Sequence, residues 1–532
     1  MIRIGVIADP HVHDCAWVPK GSGLEGAIRS FGETAASTRV FNESIPAFRA
    51  ALDKVVAAGA KIVLIVGDLT DDGQRPNIRA ALAIIEEYRR DHGIRVLMTP
   101  GNHDLFAIAG RPQDKTFLAA DGTPVMVRSA DCAEAATLGT AEALAMMSSL
   151  GFQPEPRDIY WESPFGCDPD WLARSHDVAS PDGATYCRMI DASYLVEPVE
   201  GLWILAIDAN VCAPRDGAGD FGASASFLDP TDGGWPAVLK HRRHLFAWMK
   251  DVAERARANN KQLIAFSHYP ALDALGGVSG EEAALFGATG LARRAPSREA
   301  SDAFAATGVT IHFSGHLHVN DTARHETDAG RFVNIAAPSP VGYGPGFKIM
   351  DIHNDRIEVR TRSLRQARGH DAAFTAYQAE AVKLAQPAPH ASFATDHGQF
   401  MNRHLVDLVH RRYLPREWPQ DMVDFVSSGT ISDLVDLLAL EPAGVPTFSL
   451  SAFVEDWYRL RKAGELSHDD IAPERLAFYR RLSAAAPRIA GDGLDARFAT
   501  LLRMMHAYLG RQPNLDFEIR LPDLAIKPLQ TR

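Results

Sequence analysis

Short apolar runs separated by helical patterns organise the first two thirds of the chain. Ile2 to Ala8, Lys61 to Val66, Arg95 to Thr99, Leu202 to Ile207, Gln262 to Phe266 and Thr310 to Phe313 are near-continuous, as expected of strands covered on both faces. Between the first two, Phe41 to Ala58 carries apolar residues at helical spacing and stops at Gly59. Trp235 to Asn259 reads similarly, with Pro236 suited to a first helical turn. Phe332 to Ala336, Phe347 to Ile352 and Arg356 to Arg362 add three strands, divided by the turn formers Gly342, Gly344, Pro345, Asn354 and Asp355. The alternation predicts a mixed, layered α/β domain over residues 1–365.

Two segments break this rhythm: residues 14–36, rich in Gly and Ser, and residues 105–184, far longer than an ordinary connection. Excursions of that kind from a compact scaffold build lids or substrate walls. From Asp371 onward the spacing becomes helical, with helices expected at Ala372 to Leu384, Gly398 to Tyr413, Ile431 to Leu440, Ala452 to Ala463, Pro473 to Ala485 and Asp495 to Leu509. Gln386-Pro387-Ala388-Pro389 is a linker signal inside this stretch. An α-helical accessory domain over residues 371–532 follows, with no internal repeat.

Composition narrows the picture. At 532 residues the chain exceeds what one core organises, and 46% hydrophobic with 23% charged residues is ordinary for a globular protein. The net charge of -12, with basic residues scattered rather than in runs, disfavours a nucleic-acid partner. The five cysteines, Cys15, Cys132, Cys167, Cys187 and Cys212, form no CxxC pair and read as reduced thiols. No apolar stretch is long enough to span a bilayer, and Ile2 to Ala8 fits a strand better than a signal peptide's apolar region. These features predict a soluble, cytoplasmic protein with no membrane partner.

The chemistry collects where strands end. The first runs into Asp9-Pro10-His11, the second into Gly67-Asp68 and the third into Pro100-Gly101-Asn102-His103-Asp104. Gln262 to Phe266 leads to Ser267-His268, and Thr310 to Phe313 to Gly315-His316-Leu317-His318. Each taken alone has a bland reading as a loop cap, a turn or a hydrogen-bonded histidine. Jointly they deliver oxygen and imidazole ligands to the strand ends where α/β sheets gather ligands, with no thiolate among them. Alternate histidines around a bend can address two adjacent metals.

This ordered set, Asp-x-His, Gly-Asp, Gly-Asn-His-Asp, His and Gly-His-x-His, resembles the calcineurin-like metallophosphoesterase superfamily over approximately residues 2–365. The resemblance implies a four-layer αββα sandwich with a dinuclear centre at one sheet edge. It implies one ion held by Asp9, His11, Asp68 and His318, and another by Asp68, Asn102, His268 and His316, with Asp68 as bridge. The two ions would be divalent (Mn, Fe or Zn), and a water bridging them would be activated for in-line attack at phosphorus. His103 would be the non-ligand catalytic histidine, steadying the phosphoryl group or protonating the leaving oxygen, with Asp104 orienting it.

Other features carry less. Gly21-Ser22-Gly23-Leu24-Glu25-Gly26 spells GxGxxG but follows no immediate strand, so it is expected to be a loop. His13 and Asp14 read as solvent-facing loop residues as readily as site residues. His404, His410 and His506, with Trp457 and Tyr458, read as packing or surface positions on helices.

The expected function is therefore a hydrolase of a phosphate ester, a small or nucleotide-like phosphodiester by preference. The motifs supply no arginine clamp for the extra oxygens of a monoester, which favours the diester modestly. Phosphomonoesterase activity is the alternative; nuclease activity is disfavoured by the acidic balance. A non-catalytic scaffold of the same fold would be expected to have lost ligands. The helical domain is expected to pack on the catalytic one or to make a homo-oligomer.

Overall fold

In the computed structural model, which describes residues 1–529, each apolar run named above becomes a strand. They fall into two seven-stranded sheets. The first runs in the order Ala525–Pro528, Asp516–Arg520, Arg356–Ser363, Gly346–Ile352, Ile2–Ile7, Ile62–Val66, Arg95–Thr99. The second runs Asp321–Thr327, Gly330–Ala336, Ile311–Ser314, Gln262–Ser267, Leu202–Ile207, Tyr194–Val199, Tyr160–Glu162. Ile2–Ile7, Ile62–Val66 and Arg95–Thr99 are mutually parallel neighbours, as are Leu202–Ile207, Gln262–Ser267 and Ile311–Ser314.

The sheets face each other across one core to which both contribute, including Val6, Ile65, Val96, Ile204, Phe266, Phe313 and Phe347. Burial on both faces explains the continuous apolar runs: every residue of Ile62–Val66 and of Leu202–Ile207 is buried. Helices Ser44–Ala57 and Arg75–His92 add Phe48, Leu52, Ile78 and Ile85 to the first sheet's core. Gly234–His241, His244–Ala258 and Arg298–Ala305 pack Trp235, Met249 and Phe304 against Leu205, Ala265 and Phe332 of the second. The result is the expected helix, sheet, sheet, helix layering.

Three departures from the sequence reading have physical causes. The helix expected over Trp235 to Asn259 is broken at Arg242, whose φ of -130° leaves the helical region. Its buried guanidinium lies 2.7 Å from Asp208 Oδ2, and that ion pair outweighs helix continuity. The excursion at residues 105–184 is partly scaffold, because Tyr160–Glu162 pairs as the edge of the second sheet. The C-terminal region is not helical throughout: Asp516–Arg520 pairs antiparallel with Arg356–Ser363 and is followed by Ala525–Pro528. This hairpin covers an edge that would otherwise present unpaired backbone groups.

The remainder of the C-terminal region builds its own helical core around Phe453, Trp457, Tyr458, Tyr479 and Met505. It is tied to the sheets by the buried Lys348, whose ammonium donates to Asn320 Oδ1 at 2.7 Å, Thr361 Oγ1 at 2.8 Å and Asn514 O at 3.3 Å. The helix expected over Gly398 to Tyr413 is α-helical for His397–Leu408 and then widens to a π-helical turn at Val409–Tyr413. Among the described residues no helix is long and apolar enough to cross a membrane.

Candidate metal centre

The ends of five buried strands, three from the first sheet and two from the second, bring Asp9, His11, Asp68, Asn102, His268, His316 and His318 into one cluster, all but fully buried. Two triads of donor atoms stand out: Asp9, His11 and His318 in one, Asp68, His268 and His316 in the other, each set within 4.8 Å. Asp68 reaches across, its Oδ2 lying 3.1 Å from His268 Nε2 and 3.7 Å from His11 Nε2. His11 Nε2 and His318 Nε2 are 3.0 Å apart, and His268 Nε2 is 3.2 Å from both Asn102 Oδ1 and His316 Nδ1.

Such spacing fits groups that share a cation, since bonds of about 2.0–2.2 Å leave neighbouring ligand atoms about 3 Å apart. The outward nitrogens of two histidines are already engaged: His268 Nδ1 donates to Val66 O at 3.0 Å and His316 Nε2 to Thr231 O at 3.0 Å. The nitrogens facing the cluster are thereby left free as lone-pair donors. Burial drives His11, His316 and His318 well below the usual imidazole range, so they stand as neutral donors. Burial would raise Asp68, but His268, by its charge and its hydrogen bond, outweighs it and holds the carboxylate low. Burial likewise opposes a charge on His268, yet Asp68 and Asp9 lift it to about 9. Neutral imidazoles at His11, His316 and His318, with His268, whose cluster-facing proton a divalent ion would displace, two carboxylates and an amide oxygen are a donor set for divalent ions, and the residues present fit them.

The strand ends are bent to make this possible. Asp9, His11, Asp68, His316 and His318 all have positive φ, between 44° and 70°. Backbone in that region costs about 1–3 kcal/mol per residue and persists where the surroundings enforce it. Glycines make room: a Cβ on Gly67 would lie 2.4 Å from His268 Nδ1, and one on Gly315 would lie 2.4 Å from Asp9 Oδ2.

The role expected of Asp104 does not hold. Asp104 is fully buried and accepts from Thr70 N at 2.9 Å, Thr70 Oγ1 at 3.1 Å and Gly101 N at 2.9 Å, stapling two motif loops together. Burial and the Asp68 charge push it up to about 7. The carboxylate that holds His103 is Asp72, whose Oδ1 is 2.5 Å from His103 Nδ1. His103 N donates to Asp68 Oδ1 at 2.8 Å, and Arg39 Nη1 lies 3.4 Å from His103 Nε2. Asp72 sits in a buried charge network: Lys115 Nζ is 2.6 Å from it and 2.8 Å from Asp71, and Arg39 and Arg29 are 2.7 Å and 2.8 Å from Asp71. Gly-Asp-Leu-Thr-Asp-Asp displayed Asp72 in sequence, but nothing local pointed it at His103. Arg39, just past the first excursion, and Lys115, within the second, carried no signal.

Other sequence readings resolve as follows. His13 is buried rather than solvent-facing and bonds Ala27 O through Nε2 at 2.6 Å, holding the first excursion. Gly21 to Gly26 is loop, opening no helix. His404 is buried against Thr34 O at 2.9 Å, His410 faces Glu455, and Trp457 and Tyr458 are core. A third His/Asp group, His176, Asp191 and His244, lies outside the site, with Asp191 Oδ2 2.9 Å from His244 Nε2.

The cluster opens onto a cavity of about 490 Å³ shared by Asp68, Asn102, His103, His316 and His318. Its wall also includes Arg39, Arg293, Arg294, Arg412, Arg461 and Lys462.

Residues 2–142 match the family model described as calcineurin-like phosphoesterase. The match covers less than half of the chain. Metal-dependent hydrolysis of a phosphate ester is the activity that the match supports, and His268, His316 and His318, beyond the matched stretch, fold onto the motifs within it. Among solved structures, a dimetal phosphatase from Danio rerio is 13% identical, with TM-score 0.38, covering 68% of this chain and 96% of its own. A protein from Thermus thermophilus is 9% identical, with TM-score 0.31, covering 68% and 99%. The anchor in the inner membrane complex of Plasmodium is 11% identical, with TM-score 0.28, covering 69% and 85%. Identities and scores this low say nothing of activity. No curated protein matches the chain.

Proposed function

We propose that the chain hydrolyses a small phosphate ester at a dinuclear centre, with Asp9, His11, Asp68 and His318 holding one divalent ion and Asp68, Asn102, His268 and His316 the other. The observation that carries this is the convergence of seven oxygen and imidazole donors from five strand ends within bonding reach of two ions. When bound, such a pair supplies Lewis acidity toward phosphoryl oxygens and a water acidic enough to attack at neutral pH. The protein's own groups do the rest. Asp68 shares its charge between both positions. His103, fixed through Nδ1 by Asp72, presents Nε2 toward the cavity to donate a proton to the departing oxygen. Arg39, beside that nitrogen, favours negative charge on the phosphoryl oxygens.

The preference for a diester loses its premise. It rested on the lack of an arginine clamp in the motifs, and the fold brings Arg39 and further cations to the cavity. A nucleotide-like diester stays compatible where its organic part is anionic, and monoesters compete directly. We propose a cytoplasmic setting on the strength of five unpaired cysteines. Oligomerisation through the helical region is likewise a proposal, tested by the solution mass.

Metal analysis of the purified protein, with kinetics on aryl phosphate mono- and diesters, tests the reading. Asp68→Ala should lose metal and nearly all hydrolysis. Metal-free wild type with no hydrolysis after Mn²⁺, Fe²⁺ or Zn²⁺ loading would refute it.

A further inference from the structure

The helical region forms part of the cavity wall, and one of its side chains there is out of electrostatic balance. Lys462, near the end of helix Leu450–Ala463, is 4% exposed. Its ammonium has three hydrogens to place and a single protein acceptor, Leu317 O at 3.1 Å. Leu317 separates His316 from His318, so this charge stands directly against the Gly-His-Leu-His bend. The neighbouring carboxylate, Glu282, is already occupied by a bidentate pair with Arg461. Arg412 lines the same cavity, donates to Ala36 O at 2.9 Å and has no carboxylate partner among the described residues. It lies in the π-helical turn Val409–Tyr413, a widening of the helix of the kind that recurs at functional sites.

The other cations of the wall each have a carboxylate partner: Arg39 has Asp71, Arg461 has Glu282, and Arg293 and Arg294 share Asp232. Facing Arg412 and Lys462, without a salt bridge of its own among the described residues, is Glu417, whose carboxyl burial pushes upward toward its neutral form; burial, with Arg461 and Arg412 beside it, likewise holds Lys462 well below the usual lysine range, so an incoming anion would restore its full charge. A buried cation without a counter-charge is costly to the fold, and an anionic ligand that supplies the missing charge offsets that cost. The metal centre already accounts for the phosphoryl group under attack, so this charge is available to a different part of the substrate.

We propose that Lys462 and Arg412 form a subsite for a second anionic group, a phosphate or a carboxylate, carried by the ester that is cleaved at the metal centre. The subsite rests on the phosphoesterase reading and adds its substrate class: small esters with two separated negative groups. It also gives the helical region a part in specificity, because both cations come from it.

The test uses the full-length, Mn²⁺-loaded protein and three esters on a three-carbon skeleton: glycerol phosphate with no second anion, 3-phosphoglycerate with a carboxylate, and glycerol 1,3-bisphosphate with a second phosphate and no carboxylate. Wild type should prefer one or both anion-bearing esters over glycerol phosphate in kcat/KM by about tenfold or more, the worth of one well-placed charge pair. Which of the two is preferred separates carboxylate from phosphate. Lys462→Met and Arg412→Gln should each lower that ratio several-fold, through KM, with metal content unchanged, and Lys462→Arg should keep it. A wild-type ratio near one, or a ratio that survives both substitutions, would overturn the subsite. If no ester is hydrolysed by metal-loaded protein, the phosphoesterase reading fails instead. The subsite is then decided by calorimetric binding of pyrophosphate, which Lys462→Met must weaken if it exists.

Discussion

Two groups of cations flank the same histidine-rich cluster, and they are built on opposite terms. Around Asp71 and Asp72, Arg29, Arg39 and Lys115 are each within 2.6–2.8 Å of a carboxylate, so the charges are satisfied by the protein itself. At the cavity wall, Lys462 and Arg412 donate only to backbone carbonyls. The first group is closed, and its output is geometric: it fixes Asp72, which fixes His103. The second is open and needs something from solution. A buried charge thus serves as a girder when it is paired within the fold and as a receptor when it is not.

The largest effect expected from the closed group is catalytic. His103→Ala should lower kcat by about 10²- to 10⁴-fold while the metal content, read by elemental analysis, stays at the wild-type level. Asp72→Asn should reproduce a smaller part, about 10- to 100-fold, because the imidazole remains but loses its orientation. Equal metal loss in both variants would mean that the network holds the ions rather than the histidine.

Next in size is stability. Lys115→Met leaves Asp71 and Asp72 facing each other with one cation fewer and should cost about 3–5 kcal/mol, seen as a lowered denaturation midpoint. An unchanged midpoint would show that the closed group is not held together by its charges.

Buried histidines outside the site supply a neutral control. Burial lowers His312, His397 and His404 to about 4 each. An unfolded histidine titrates near 6.5, so between about 6.5 and 4 the unfolded chain takes up protons that the folded one refuses. Stability is therefore complete above about pH 6.5 and falls as pH drops toward 4, by up to about 3 kcal/mol per histidine. Urea midpoints at pH 8 and pH 5 measure this, and His404→Gln should flatten the difference. A midpoint that rises on acidification would contradict the assignment.

The smallest effect sharpens the contrast most. Lys462→Met removes a cation that the protein does not neutralise, so the folded state should be within about 1 kcal/mol of wild type or more stable. A loss as large as that of Lys115→Met would make the two groups equivalent and Lys462 structural.

The sequence by itself determined the strands and the motif chemistry. Ile62–Val66 needs apolar residues on both faces, so its burial is written in five consecutive letters, and Asp68 follows it wherever the sheet lies. Glycines such as Gly67 and Gly315 mark the tight bends for the same local reason. Even the closing hairpin left a trace, in the alternation of Phe517 and Ile519, though a strand so short is easily absorbed into a helical neighbourhood. Tertiary structure alone decided which carboxylate serves His103: Asp104 is its chain neighbour but is taken up by Thr70 and Gly101, and Asp72, 31 positions away, takes the imidazole instead. It alone decided the character of the cavity: Arg39, Arg294, Arg412 and Lys462 come from four separate stretches with no shared motif. A charge acts over distances set by the fold and the local dielectric, not by chain spacing, so its meaning appears only when the walls are assembled.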